Sequence, residues 1–326
     1  MMPRRYFLRL AATALVTPAL YRTGSAQIYP ARPIRLIVPF AAGGPNDTIA
    51  RIIAAEAFKE SGASFVIENV PGGAGNVGTA AAARAPADGY TLVVVTSSFV
   101  INPGLNPKIQ YDPITGFAPV TMIAAAPHVL VVHPSFPAKD IKEFVAIVRA
   151  NPGKYSYASA GTGQSSHLAG ELFRQSAGLD LAHVPFNGAA PAMTSTVGGH
   201  TPIAFISLPG AAPFIQDGRL RALATTGSAR SAICPEVPTM LEAGFADQVS
   251  VFMQGILAPA GTPREIVDRW QRELARIMAR PDIRQRLAAL GLEPVVNSPE
   301  AFGAHIKAEV ARWSRVIRAA HIGASE

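Results

Sequence analysis

The sequence predicts an α/β fold of two lobes, with mostly parallel sheets flanked by helices and a cleft between the lobes. Three observations predict it. Short, continuously apolar runs alternate with stretches of helical periodicity, the pattern of parallel sheets buried on both faces. Several of the turns that lead from strand to helix are rich in Gly, Ser, Thr and Asn. Two extended segments, around Pro127 and from Val251 to Ala258, read as passages of the chain between halves. In open α/β sheets ligands lie beyond the carboxyl ends of the strands, so those turns would face the cleft.

Composition narrows the classes. A chain of 326 residues suggests roughly two domains. Hydrophobic residues make up 49% and charged ones 16%, which describes a compact globular protein. The formal charge is +7, but residues 1–26 hold Arg4, Arg5, Arg9 and Arg22 and no acid. Without them 25 basic residues face 22 acidic ones, a balance of +3 that, with no Lys/Arg cluster, argues against nucleic acid as a partner. The single cysteine, Cys234, excludes an intrachain disulfide and a cysteine-rich metal site.

Taken in order, residues 1–26 read as an export signal. Basic Arg4 and Arg5 precede an apolar run from Leu8 to Leu20, and Gly24-Ser25-Ala26 suits cleavage before Gln27. The run RRYFLRL resembles the twin-arginine consensus. The apolar run is too short to span a bilayer, so the mature chain is expected to be soluble and outside the cytoplasm. Residues 27–126 are expected to form the first part of lobe 1, 127–250 lobe 2, and 251–326 the return to lobe 1.

Ile34–Pro39 is a buried strand, followed by the turn 40–47 and a helix with Ile49, Ile52, Ile53 and Phe58 on one side. Asp47 reads as that helix's N-cap, with a ligand role as the alternative. After the strand Phe65–Glu68 comes PGGAGNVG, in which Gly73, Gly75 and Gly78 match G-x-G-x-x-G. A dinucleotide site needs an acid some 20 residues on. Val95–Leu105 has none, so this loop reads as a helix start facing the cleft. Tyr90–Thr96 is a third buried strand, Asn102–Phe117 a surface connection, and Val120–Ala125 and Val129–His133 flank Pro127. The helix Asp140–Ala150 stops at Asn151-Pro152-Gly153.

Tyr155–Ser159, Ala160–Gly163 and Gln164–Phe173 form strand, glycine turn and helix, with Ser165 as the expected N-cap. Such a junction leaves helical N–H groups pointing outward at the positive end of the macrodipole, ready for a carboxylate. The pattern recurs at Leu181–Pro185, Phe186–Ala190 and the helix opened by Pro191. Pro202–Ser207 and Leu220–Thr225 are further strands. Thr262-Pro263-Arg264-Glu265 reads as a capping box, and Ser298-Pro299 opens the last helix. Trp270 and Trp313 lie on apolar stripes and read as core.

The chemistry that these residues allow is limited. Ser166 and His167 are adjacent on a helix and cannot face each other as nucleophile and base, although a triad of distant residues stays open. The seven histidines show no metal-binding spacing. His167 and His183 are candidates for a ligand hydrogen bond or for helix packing. The loops 40–47, 71–78, 159–167 and 186–190 contain neither Lys nor Arg, so a carboxylate there would be held by backbone N–H groups, hydroxyls and water.

The stretches YPARPIRLIVPFAAGGPNDTIAR (29–51), ENVPGGAGNVGT (68–79), ADGYTLVV (87–94), YASAGTGQSSHLAGELF (157–173), HVPFNGAAPAM (183–193) and LAPAGTP (257–263) together resemble the Bug-type extracytoplasmic solute receptors. These are the binding subunits of tripartite tricarboxylate transporters. The resemblance spans nearly the whole mature chain. It implies a type II-like periplasmic binding protein, not an enzyme, with no cofactor. It further implies a small organic acid as ligand and two membrane subunits as partners. The implied ligand residues are Phe40, Gly43, Asp47, Ser159, Thr162, Gly163, His167, Asn187, Gly188 and Ala189. Ala42, Asn76 and Phe186 depart from residues common in the family and leave the identity of the acid open. A monomer is expected, since no heptad seam extends beyond the core-facing stripes. A sensory subunit and a secreted serine hydrolase are the alternatives.

Overall fold

The computed structural model describes residues 29–323 apart from 44 and 107; the expected export signal lies outside the described residues. The described residues from Pro33 onward make one compact unit. In the compact unit β1 (Ile34–Val38), α1 (Pro45–Ser61), β2 (Phe65–Asn69), α2 (Asn76–Ala83) and β3 (Thr91–Thr96) alternate. Next come α3 (Ser97–Leu105) and the long β4 (Phe117–Val132). The middle of the chain supplies α4 (Ile141–Arg149), β5 (Tyr155–Ser159), α5 (Ser165–Ser176), β6 (Leu181–Pro185), α6 (Ala189–Val197), β7 (Ile203–Ser207), α7 (Leu208–Gln216) and β8 (Arg221–Thr225). The last part is β9 (Val251–Pro259), α8 (Arg264–Ala279), α9 (Pro281–Ala289), β10 (Glu293–Pro294) and α10 (Pro299–Ala319).

The strands follow the order β2-β1-β3-β9-β4-β7-β5-β6, with β10 and β8 also pairing β4. Strand-helix-strand units pair in parallel, β1 with β2 and β3, and β5 with β6 and β7. Among the described residues antiparallel pairing occurs only where β4 or β9 takes part. The first half of β4 pairs β9 as far as Pro127 opposite Val251; from His128 opposite Ser207 onward it pairs β7. Proline cannot donate to a ladder, so Pro127 suits the point where β4 changes partners. It does not divide the strand in two, as the sequence suggested: β4 runs through it.

Side-chain alternation explains the core. Leu130 and Val132 of β4 join Tyr157, Ile203 and Phe205 on one face, under α4 and α5 with Phe144, Val148 and Phe173. Val129 and Val131 join Ala158, Ala204 and Ile206 on the other face, under α6 and α7. Both faces are thus covered, which is why the second half of β4 and β7 read as apolar runs. On the first sheet Val93, Val95, Met253 and Leu257 pack beneath α3 and α10, where Trp313 and Phe302 are buried. Trp270 of α8 is fully buried, its ring 5.1 Å from that of Phe65. Each large side chain so buried contributes about 1.5–3 kcal/mol of transfer free energy.

Three local expectations need correction. Residues 97–105 form a helix, and Phe99, Val100, Ile101 and Asn102 in it are buried, so the connection does not run over the surface from Asn102. Gly104 lets α3 approach α10: a Cβ there would lie 2.8 Å from Ile317 Cδ1. The Thr262 hydroxyl donates to the Pro259 carbonyl and makes no cap for α8. Asp47 lies inside the first turn of α1 and reaches back to the preceding loop. By contrast, Asp140 caps α4 and Ser298 caps α10 through their side chains.

Candidate functional site

A cleft of about 630 Å³ opens where the carboxyl ends of the strands meet the starts of the helices that follow. Its walls come from six strand-to-helix junctions, from Ala126 and His128 of β4, from Phe252 of β9, and from Leu290 and Leu292. Among the described residues no Asp, Glu, Lys or Arg lines it.

The first junction is built on Asp47, which is 2% exposed. Its carboxylate accepts from Arg51 Nε at 2.9 Å, from the Gly43 N–H at 2.9 Å and from Asn69 Nδ2 at 3.1 Å. Arg51 first, then the Gly43 N–H, hold its pKa down to about 2. Asn69, at the end of β2, also donates to the Phe40 carbonyl at 3.1 Å. Asp47 therefore braces the loop that presents Phe40, and Phe40 and Asn46 line the cleft.

The glycine-rich stretch supplies Gly73, Ala74 and Asn76. Gly78 keeps the helix close to β1: a Cβ there would lie 2.7 Å from the Val70 carbonyl oxygen and 2.9 Å from Pro39 Cα. Asn76 Oδ1 accepts from Asn102 Nδ2 at 2.8 Å and from the Tyr111 hydroxyl at 2.9 Å. The sequence reading passed over the next junction, where Thr96, Ser97, Ser98 and Asn102 reach the cleft. Its signal was present in the chain. A buried strand ending in Thr-Ser-Ser opens a helix here as elsewhere, but Pro103 and Gly104 concealed it.

The central stretch contributes Thr162, Gly163, Gln164, Ser165 and Ser166 to the walls. Ser165 does not cap α5. Its Oγ lies 3.1 Å from His128 Nε2, while Ser166 Oγ accepts from the Ala160 N–H at 3.2 Å. Behind this loop, Ser159 is fully buried with its Oγ 2.7 Å from His183 Nε2. His167 Nδ1 accepts from the Gly163 N–H at 3.0 Å, and its ring stacks on His183 at 3.7 Å. Burial, and for His167 also the neighbouring His183, pushes both imidazoles down to about 4, so both are neutral at neutral pH and can accept such bonds.

Of the residues expected to contact a ligand, the structure brings Phe40, Thr162, Gly163 and Ala189 to the cleft wall. Asp47, Ser159 and His167 stand behind it, with their polar atoms bonded to the loops they support. Gly43, Asn187 and Gly188 lie beside the junctions and not on the wall. Gly188, at φ +113°, donates its N–H to the Ala160 carbonyl at 3.0 Å and ties the third loop to the second. Ser166 and His167 turn away from each other and form no nucleophile–base pair.

No side chain caps α5, α6 or α7 at Gln164, Gly188 and Ser207, so their first N–H groups carry the positive ends of three dipoles. Among the described residues His128 is the one side chain of acid–base character on the wall, and burial pushes it down to about 4. The cleft can thus hold an anion through peptide dipoles, hydroxyls and amides with no counter-charge.

Comparison with known proteins agrees with this geometry. The model of the tripartite tricarboxylate transporter family receptor, TctC, matches residues 49–322. The periplasmic binding protein BugD superposes with a TM-score of 0.72 at 33% identity, covering 91% of this chain and 100% of that one. Rpa4515 of R. palustris, solved with adipate, gives 0.75 at 34% identity over 91% and 100% of the two chains. MatC from Rhodopseudomonas palustris, with bound malate, gives 0.71 at 32% identity over 89% and 100%. The fold, two-lobed α/β with a cleft between the lobes, is that of periplasmic solute-binding proteins, and the chain belongs to the tripartite tricarboxylate transporter receptor family.

Proposed function

We propose that this protein is an extracytoplasmic receptor that captures a small organic carboxylate in the cleft and delivers it to the membrane subunits of a tripartite transporter. The observation that carries this reading is the uncharged cleft on which the uncapped starts of α5, α6 and α7 converge. Helix starts hold carboxylates well, and a site without a fixed cation releases its anion more readily than one with a buried ion pair. The acids bound by the two solved relatives, adipate and malate, support the ligand class. The periplasmic relatives support a periplasmic location. We further take the protein as a monomer, with one lobe from residues 27–126 and 251–326 and another from 127–250.

A thermal-shift screen of di- and tricarboxylates, acidic amino acids and aromatic acids tests the ligand class. At a hundred times its Kd the cognate acid adds about 2.7 kcal/mol of stability. That raises the melting temperature by several degrees, roughly 2 °C per kcal/mol for a chain of this size. Binding should weaken little with added salt, because no Lys or Arg lines the cleft. Failure of every acid to shift the melting point, or a steep loss of affinity with salt, would sink the reading.

A further inference from the structure

The orientation of the Asn76 amide on the cleft wall is fixed by its neighbours, step by step from the backbone. A carbonyl oxygen can only accept, so the atom of Asn102 that lies 3.2 Å from the Ala74 carbonyl is its Nδ2. The same Nδ2 lies 2.8 Å from one end of the Asn76 amide, and that end is therefore the acceptor, Oδ1. The Tyr111 hydroxyl donates to this oxygen as well, at 2.9 Å. Reversing Asn76 alone would set two NH2 groups against each other. Reversing both amides would set Asn102 Oδ1 against the Ala74 carbonyl. The partners are themselves held: Asn102 is 5% exposed, and the buried Tyr111 ring stacks on Phe99 at 5.6 Å. Ala74, at φ +54°, is in the left-handed region that a side chain disfavours, and the bond from Asn102 steadies its carbonyl there.

We propose that Asn76 is a specificity-determining residue, whose Nδ2 receives an acceptor oxygen at the end of the ligand remote from the carboxylate held at α5 and α6. This rests on the receptor reading. With Oδ1 taken by Asn102 and Tyr111, Nδ2 is the end of the half-buried amide left to the cleft that Asn76 lines. On that side stands Gly73, also on the wall, where a Cβ would lie 3.9 Å from Nδ2. Asn76 follows β2, which stands at one end of the strand order, while α5 and α6 follow β5 and β6 at the other end. The two junctions therefore reach the cleft from opposite sides, and a ligand anchored at one presents its far end to the other. A donor without charge serves an uncharged carbonyl as well as a carboxylate. A methyl-ended acid leaves these N–H groups desolvated and unpaired, and an ammonium end sets donor against donor.

Matched acids test the proposal directly. Isothermal titration of the mature protein at neutral pH compares glutarate with pentanoate, adipate with hexanoate, and the ketone 5-oxohexanoate with hexanoate. One neutral hydrogen bond corresponds to about tenfold, so the acceptor-ended acid of at least one pair should bind about tenfold more tightly. The ketone pair carries no second charge, so its ratio reads the hydrogen bond and not repulsion. Asn76→Asp keeps one oxygen for Asn102 and Tyr111 and turns a second oxygen to the cleft. The ratio should then fall below about threefold, and 5-aminopentanoate or 6-aminohexanoate should bind more tightly than to wild type, which a merely structural role would not produce. Asn76→Ala, which removes the donor at a half-buried position, should also bring the ratio below about threefold and decides the question if Asn76→Asp does not fold. Equal binding of both members of every pair in wild type, or ratios unchanged in the folded variant, overturns the proposal and leaves the receptor reading standing. Failure of every one of these acids, alongside a blank thermal-shift screen, overturns both.

Discussion

Asp47 offers the sharpest test of how the cleft is braced. In Asp47→Ala the Gly43 N–H and Asn69 Nδ2 lose a charged acceptor, and Arg51 loses its partner. Hydrogen bonds to charged groups contribute about 1.5–3 kcal/mol each. Gly43 is exposed to water, so its bond and that from Asn69 count at the lower end, and the pair with Arg51, whose side chain is 58% exposed, adds little. The expected loss is about 3 kcal/mol. At roughly 2 °C per kcal/mol the melting temperature falls by about 6 °C. The aspartate pKa is depressed from 3.8 to about 2, so the native state favours the ionised form. Its stabilisation is complete above the unfolded value and is lost as the pH falls through the folded one. About half should be gone at pH ~3. Urea titrations of wild type and variant at neutral pH and near pH 3 read both quantities. A neutral-pH difference below about 1 kcal/mol, or one that does not shrink on acidification, would refute the reasoning.

Two other outcomes follow from the histidines and the N-terminal segment. Burial lowers His128, His167 and His183 from 6.5 to about 4, so the unfolded chain takes up protons that the native state refuses. Stability is then present at neutral pH and falls as the pH drops from 6.5 toward 4, with His167→Gln removing close to one proton's share of the slope; a urea midpoint constant from pH ~7 to ~5 would contradict this. Replacing Arg4 and Arg5 with Lys should leave precursor in the cytoplasm, as fractionation and immunoblotting would show. Normal periplasmic delivery of that variant would assign export to the general secretory route.

Much of the fold was legible because it depends on local pattern. β1, β3 and β7 announce themselves as apolar runs, and α10 opens at Ser298-Pro299, where the sequence places it. α3 was hidden because Pro103 and Gly104 resemble loop punctuation, yet the glycine serves a close helix crossing against Ile317 and Ser314. The cleft was legible as a set of junctions but not residue by residue. Whether Asp47, Ser159 or His167 faces inward is decided by Asn69 and His183, partners on other strands that local pattern does not reveal. Phe252, Leu290 and Leu292 reach the wall from the far end of the chain, which no reading of nearby residues could supply.

The place of β9 also has a consequence for how the molecule is made. It occupies the slot between β3 and β4, pairing Val93 with Leu257 and Ala118 with Ala258. During synthesis the first sheet therefore waits with a vacant lane until the chain has passed Pro259. The strands β5, β6 and β7, which pair with one another, are free to assemble long before. Loop-closure entropy is spent on this late insertion before any contact rewards it, so filling the lane should be the slow event of folding. Until then the edges of β3 and β4 stand open to any other extended chain, and a nascent receptor is most exposed to mispairing in its first-made half.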